Sequence, residues 1–472
     1  MIELVSLLLG LVTGVKPIDL HVVGPVARVE VQLDGETIAE LEGPPWSFDH
    51  DFGPRLMPHD LVAIAYDASG RELDRTTHWI NLDQSTSRAD LALIPDDEGK
   101  PAAIRISWES IGQLQPQQIS VDFDGIPLSF DHPRHIPLPR YDLADFHFVT
   151  AQLLFADGTS SFLQAGFGGV LGDQLQTELT AVVVEKEKGR IPDAEDLEGW
   201  FEARGRPLQV HGVEKGKAQL VIVRDPSIQP QLDALAWYLQ DRSRPGANRK
   251  NRTAFDLTAL LNSSQGDKSS RPTVRGIRGS GGVSQRLRQF ASLGTRAFVR
   301  FVSPESATLA PEGVLPEIFL HSPSFSSEDH SFASLTLLYP PQRFEVRFGD
   351  AIALAGMLAH ASHGRRGVLL LLGDGSVDTS LYPKDLALEY LRHLGVPFHV
   401  ARFNGGGHPE WNDVLDLGSL EKPSDAERQF ARVVEDLSKQ LDRQRTIWLV
   451  GRHLPQDIRL GPKAKGIRLV GR

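Results

Sequence analysis

The chain has 472 residues, 40% hydrophobic and 24% charged, with a net charge of −11 and no cysteine. At roughly 100–200 residues per domain, that length predicts two to four domains, each able to bury its own core. The missing cysteines exclude a disulfide framework, a thiolate zinc site, an iron–sulfur cluster and a cysteine nucleophile, and the acidic balance argues against a general nucleic-acid binder.

Residues 4–12 form one short apolar run ending in Thr13-Gly14. Nothing in the chain approaches the roughly 20 apolar residues of a membrane span. The run has the length of a signal-peptide core, although Glu3 stands where basic residues are usual, so residues 1–15 are set apart as a candidate signal segment and the protein is expected to be exported. A first β-strand, or a start codon that trims a longer signal, is the alternative.

From about residue 18 to 180 the chain reads as short alternating strands between turn signals, without an amphipathic helix. Val29, Val31 and Leu33 alternate into Asp34-Gly35, a dipeptide that favours a tight hairpin because glycine tolerates positive φ. A second hairpin is expected at Asp67 to Gly70. The pattern then recurs: Ile119-Ser-Val-Asp-Phe-Asp124-Gly125 echoes Val29 to Gly35, and His147 to Ala151 echoes His59 to Ala63. Offsets of 90 and 88 residues are near the size of an immunoglobulin-like sandwich, so two Ig-like modules are expected, at 16–86 and 87–183. The Asp-Gly carboxylates are read as turn geometry, with calcium binding the lesser alternative. The acidic run Asp96 to Pro101 is read as a surface turn.

Beyond Gly189 the pattern changes. Ala218 to Arg224 is a continuous apolar strand of the kind buried on both faces, followed at once by Asp225-Pro226-Ser227. A helix is expected near 232–242, a strand at 297–302, a helix from Asp350 to His360, and a second buried strand, Gly367 to Leu372, ending in Gly373-Asp374-Gly375. A helix at 383–394 and a strand at 396–403 come next. Ser424-Asp-Ala-Glu427 reads as a capping box opening a helix striped by Phe430, Val433, Val434, Leu437 and Leu441. Strands at 447–450 and 467–470 close the chain. Alternating strands and helices predict a doubly wound, mostly parallel α/β sheet over 184–472, with ligands at the carboxyl ends of its strands. Asp225 and Asp374 both fall on that edge.

Here Val-Ile-Val-Arg-Asp225-x-Ser227 resembles the Asp-x-Ser-x-Ser motif of von Willebrand factor type A (VWA) domains, and Leu-Leu-Gly-Asp374-Gly375 resembles their later Thr-Asp-Gly. The closing stretch Leu437 to Gly451, with the tandem β-modules, resembles bacterial VWFA-related proteins. The resemblance implies a Rossmann-like fold and a metal-ion-dependent adhesion site, in which Mg²⁺ leaves a coordination position for a partner's acidic residue. This chain departs from the pattern: Gln229 replaces the second serine, Gly373 the threonine, and Asp350 stands for the intermediate threonine ligand. Asp225, Ser227, Asp350, Asp374 and Gln229 are therefore the candidate ligands, all oxygen donors acceptable to Mg²⁺, Mn²⁺ or Ca²⁺. Three carboxylates around a dication leave a net negative charge and a poorer trap for a partner's carboxylate. A metal-free site, with these aspartates capping helices or holding loop amides, is the alternative.

Signals of catalysis are missing. Ser227 and Ser376 stand where a haloacid-dehalogenase-type phosphatase needs a second aspartate, and no nucleophile elbow, P-loop or strand-linked Gly-x-Gly-x-x-Gly occurs. His360 and His363 lack a third zinc ligand. Asn404 to His408 reads as a flexible glycine-rich turn.

Charge is distributed unevenly. Residues 1–180 carry 10 Lys and Arg against 27 Asp and Glu, a net −17, while the remainder carries 40 against 34. An insertion at 242–288 holds 11 Lys and Arg against only Asp256 and Asp267, and is read as a solvated loop or one that docks an acidic surface. The expected function is protein binding at the strand-end edge of the VWA-like domain, with or without a metal. A metal-dependent hydrolase using Asp225 and Asp374, and a purely structural envelope component, are the alternatives.

Overall fold

The computed structural model describes residues 2–4, 11–82, 87–96, 100–110, 115–155, 160–169, 179–186, 189, 191–216, 218–228, 297–306, 319–321, 325–326, 346–373, 377–402, 411, 415–416 and 423–472. The expected helix at 232–242, the basic insertion 242–288, Gln229, Asp374 and the glycine-rich stretch 404–408 lie outside them.

The first module has seven strands: β1 (Ile2–Leu4), β2 (Val15–Val22), β3 (Arg28–Leu33), β4 (Glu36–Leu41), β5 (Ser47–Asp51), β6 (His59–Tyr66) and β7 (Glu72–Ile80). They form two antiparallel sheets, β1-β2-β5 and β4-β3-β6-β7. The second module repeats this with β8 (Ser87–Pro95), β9 (Pro101–Ser110), β10 (Pro116–Phe123), β11 (Ile126–Pro127), β12 (Ile136–Pro137), β13 (Phe146–Phe155) and β14 (Ser160–Gly168). Its sheets are β12-β9-β8 and β11-β10-β13-β14, the first module's orders advanced by seven. Both are Ig-like three-on-four sandwiches. Period-two alternation fills each core, with Val29, Val31, Leu61, Ala63 and Ala65 in the first and Ile104, Ile106, Val121, Phe123, Val149 and Ala151 in the second.

The repeated motif is the same device in both modules. Asp34 and Asp124 take left-handed φ of 55° and 51°, each before a glycine at positive φ, closing the β3–β4 and β10–β11 hairpins. Asp34 Oδ2 lies 2.7 Å from His59 Nδ1 and its Oδ1 accepts from Asp60 N at 2.8 Å. Asp124 makes the equivalent contacts with His147 Nδ1 and Phe148 N, both at 2.8 Å. These carboxylates are committed to the turn, as the plainer reading expects.

The residues set apart as a signal segment have a place in the first module. Strand β1 pairs with β2, and Ile2 and Val12 are each 3% exposed in the core. Cleavage at Gly14 would remove both.

A third β-unit follows, with β15 (Leu179–Lys186), β16 (Phe201–Ala203), β17 (Arg206–Pro207) and β18 (Val210–Glu214). The chain then leaves for the α/β domain: β19 (Ala218–Arg224), β20 (Ala297–Ser306), β21 (Phe319–His321), β22 (Phe325–Ser326), helix α1 (Phe348–His360), β23 (Arg365–Leu372), α2 (Lys384–Leu394), β24 (Phe398–Arg402), β25 (Leu415–Asp416) and α3 (Pro423–Arg443). It returns to the third unit through β26 (Gln444–Val450), β27 (Ile458–Leu460) and β28 (Ile467–Leu469), completing the sheets β18-β26-β15-β28 and β17-β16-β27. This corrects the expected boundaries at 183 and 184. Residues 179–183 are not part of the second module, and the closing strands do not join the parallel sheet. The run 447–450 suits either setting because both its faces are buried. Ile447 and Leu449 face the third unit's core, while the Trp448 ring stacks on Phe148 of the second module at 4.0 Å.

In the α/β domain, β20, β19, β23, β24 and β25 are parallel neighbours, with β21 and β22 antiparallel to β20. Numbered within the sheet and leaving aside the off-path β22, the order is 3-2-1-4-5-6, and it reverses direction between β19 and β23. Helix α3 begins at Pro423, one residue before the expected capping serine, with proline suited to the first helical position. Two buried arginines at the opposite edge stitch helix ends to the sheet. Arg366 donates to the carbonyls of His360 and Gly395, and Arg365 to that of Leu441, supplying donors and positive charge where helices α1, α2 and α3 terminate.

Candidate functional site

The strand order reverses between β19 and β23, and Asp225 follows directly on the carboxyl end of β19. Its amide continues the ladder by donating to Leu371 O at 2.8 Å. Its side chain is fully buried: Oδ1 accepts from Ser227 N and Oδ2 from Gly373 N, both at 2.9 Å. The first bond is the local turn that an aspartate before Pro-Ser readily forms, and the second ties the two strand ends together. A Cβ on Gly373 would lie 2.1 Å from Ser227 Oγ and 2.7 Å from Ile228 Cγ2. The threonine of the resembled motif therefore has no room here, and Gly373 brings the backbone, not a hydroxyl, to the site.

Asp350 belongs to a different constellation. It lies fully buried in the first turn of α1, where Oδ1 accepts from Tyr382 N at 2.8 Å, Oδ2 from Leu381 N at 3.1 Å, and Arg347 Nη2 sits 2.5 Å from Oδ2. Burial pushes its carboxyl upward, and the two amides and Arg347 oppose that shift. The loop returns the contact, since Asp378 Oδ1 accepts from Phe348 N at 3.0 Å and Ser380 Oγ from Gly349 N at 2.7 Å, capping α1. Gly349 permits this closeness, because a Cβ there would meet Tyr382 O at 1.9 Å. The Asp350 oxygens serve three donors, the amides of Leu381 and Tyr382 and the Arg347 guanidinium. This arrangement has a sequence signal: Arg347 and Asp350 stand three apart at a helix start, and Asp378-Thr-Ser380 is a side-chain turn motif.

Of the expected ligands, the structure brings Asp225 and Ser227 together with the Gly373 backbone and places Asp350 in the α1 lock, while Asp374 and Gln229 are outside the described residues. Among the described residues, no group of three or more His, Asp or Glu side chains is placed to hold a metal ion. His360 and His363 have ring centroids 6.1 Å apart, and His360 Nδ1 lies 3.0 Å from Leu394 O. Burial, with Arg366 nearby, pushes His360 well down and His363 to about 3, so both rings stay neutral at ordinary pH.

The loop following the β23 end also carries apolar surface. Val377 and Leu381 are 78% and 68% exposed, two of only a few large hydrophobic side chains so exposed among the described residues.

No family model matches the chain, and no curated protein matches it. Among the described residues no helix is long and apolar enough to cross a membrane. Similar solved structures include fibronectin(III)-like modules of CbhA from Clostridium thermocellum, at 20% identity and TM-score 0.15, covering 17% of this chain and 93% of that one. The central fibronectin-III array of RIM-binding protein is similar at 12% identity and TM-score 0.20, covering 42% and 81%. Proximal thread matrix protein 1 from the mussel byssus is similar at 11% identity and TM-score 0.27 over 54% of this chain, which spans about half, 49%, of the mussel protein's length.

Proposed function

We propose that this is a non-enzymatic protein-binding protein, exported from the cell, whose α/β domain is VWA-like and engages a protein partner at the strand-end edge between β19 and β23. The observation that carries the reading is the exposed pair Val377 and Leu381 on a loop that Asp350, Asp378 and Ser380 hold against α1. Large apolar side chains on a pre-ordered loop bury area on binding at little entropic cost, and such side chains form the cores of protein interfaces. The sheet order supports the same edge, because connections diverge there.

Hydrolysis is the weaker reading. The Asp225 carboxylate is buried and accepts two backbone amides, an arrangement that holds strand ends together rather than presenting a base to substrate. Metal assistance, if Mg²⁺, Mn²⁺ or Ca²⁺ is used, falls to Asp225, Ser227, Asp350, Asp374 and Gln229.

The test is recovery of envelope partners by the purified chain and by a Val377→Ser/Leu381→Ser double variant, each with and without chelator. Loss of the same partners in the folded double variant is expected. Undiminished recovery would overturn the edge as the binding surface, and sensitivity to chelator in the unaltered chain would assign a metal to the contact. The mature N-terminal mass from the native host tests export, with an intact Met1 counting against a cleaved signal.

A further inference from the structure

The two sandwich modules present the same Asp-Gly turn to the same neighbour, the third β-unit, and it answers them with opposite charges. A Cβ on Gly35 would lie 3.6 Å from Arg204 Nη1, and one on Gly125 would lie 3.6 Å from Glu214 Oε1. Arg204 suits its turn: Nη1 donates to Asp34 O at 3.1 Å while Nε pairs with Asp457 at 2.7 Å. Glu214 instead lines one cavity with Asp122 of β10 and feels the negative charges of Asp124 and Asp122.

This seam is otherwise strongly packed. Trp448 Nε1 donates to Glu214 Oε2 at 3.1 Å while its ring stacks on Phe148. Phe146 lies parallel to His211 at 5.8 Å and against Gly166 and Gly212, where any Cβ would come within 2.6 Å of its ring. Beside Glu214 lies a cavity of about 80 Å³, lined by Asp122, Thr150, Gln219, Arg300 and His363 among others. The buried Gln219 Nε2 has no protein partner, and the space is large and polar enough for water to reach the carboxyl.

We propose that Glu214 is a pH-sensitive latch between the second sandwich module and the rest of the chain, closed when its carboxyl is protonated and loosened when it ionises against Asp122 and Asp124. Burial, with the Asp124 and Asp122 charges, pushes Glu214 from 4.5 up to about 7, against the opposing pull of Trp448 and Arg365. Charged and titratable groups also face it from other elements, Arg300 of β20 and His363 lining the same cavity. Arg365, held at Gly216 O at 2.8 Å, is lowered by burial only to about 10, and His363 stays neutral down to about 3. Lys215 is engaged by Asp442 at 3.1 Å, and Asp124 by His147 at 2.8 Å. Because the docked pKa lies above the undocked one, the seam has its full stability below the ordinary glutamate value and loses it as pH rises through about 7.

The lack of native cysteines allows a clean distance measurement. Ser129→Cys on the second module and Arg206→Cys on the third unit, both exposed positions, take a donor and acceptor dye in the full chain. Energy transfer is followed from about pH 5.5 to about pH 8.5, across the titration of a carboxyl raised to neutrality. A fall in transfer with a midpoint near 7 is expected, abolished by Glu214→Gln and moved to lower pH by Asp122→Asn. Carboxyl-carbon NMR of Glu214 in the same range should give the same midpoint. Unchanged transfer across the range, or an identical transition in the folded Glu214→Gln chain, would overturn the proposal.

Discussion

The first and second modules have the same seven-strand topology and the same Asp-Gly turn braced by histidine, yet they are built into the molecule differently. The first shares a core with the α/β domain: Leu56 and Leu82 pack with Ile352, Leu370 and Leu391, and Tyr390 Oη donates to Asn81 O at 2.6 Å. Cations complete its seam with the third unit, Arg452 lying 2.9 Å from Asp60 and over the Trp79 ring at 3.8 Å. The second leans on the third unit through Phe146, Phe148 and Trp448, with Glu214 against its aspartates. Repeated residues therefore build each sandwich, and unrepeated residues at the seams decide what it rests on.

The largest effects should separate these seams. Trp448→Ala removes a buried aromatic at the second module's seam and should cost about 3–5 kcal/mol. Calorimetry should then show the second module melting on its own, ahead of the first; a single merged transition would show that docking does not depend on this stack. Asp350→Ala leaves Arg347 buried without its carboxylate, a loss of about 3–5 kcal/mol for a broken buried pair. Hydrogen exchange should rise across 377–382 and through the core shared with the first module, while the second module keeps its protection.

Smaller changes sharpen the comparison. Gly373→Ala drives a Cβ into Ser227 and Ile228 and should cost about 1–3 kcal/mol, measurable by denaturant titration, with no effect on the second seam. Tyr390→Phe removes one hydrogen bond from the first module's seam, about 1 kcal/mol, and should lower the shared α/β transition without changing the pH response at Glu214. The smallest signature is in pH itself: raising it through 7 should loosen the second module and leave the first in place, since the first module's turn meets Arg204 rather than a carboxylate.

Much of the local architecture was legible because local physics sets it. Asp34-Gly35 and Asp124-Gly125 form hairpins because their backbone needs left-handed φ, and the echo between them announced a duplicated sandwich. Ala218 to Arg224 and Gly367 to Leu372 are apolar enough to declare strands buried on both faces, which put Asp225 at a strand end. Asp350 was left open between two roles because a carboxylate at a helix start looks the same whether it serves a metal or a loop; its bonds to the amides of Leu381 and Tyr382, thirty residues on, are set by the tertiary structure. The third unit was hidden because its strands are divided by more than 200 residues of α/β domain, and the run around Trp448 carries no mark of parallel or antiparallel pairing.

What the sequence determined by itself was the inventory: two repeated sandwiches, an α/β segment with an aspartate at a strand end, an acidic first part, and no thiol chemistry. Those follow from periodicity, turn stereochemistry and composition, which act over a few residues or over none in particular. Only the tertiary structure decided which strands close the third unit, which aspartates are spent on backbone amides, and that equivalent turns meet Arg204 in one module and Glu214 in the other. Such outcomes depend on groups far apart in the chain being desolvated together, where burial turns an ordinary glutamate into one that titrates near neutrality.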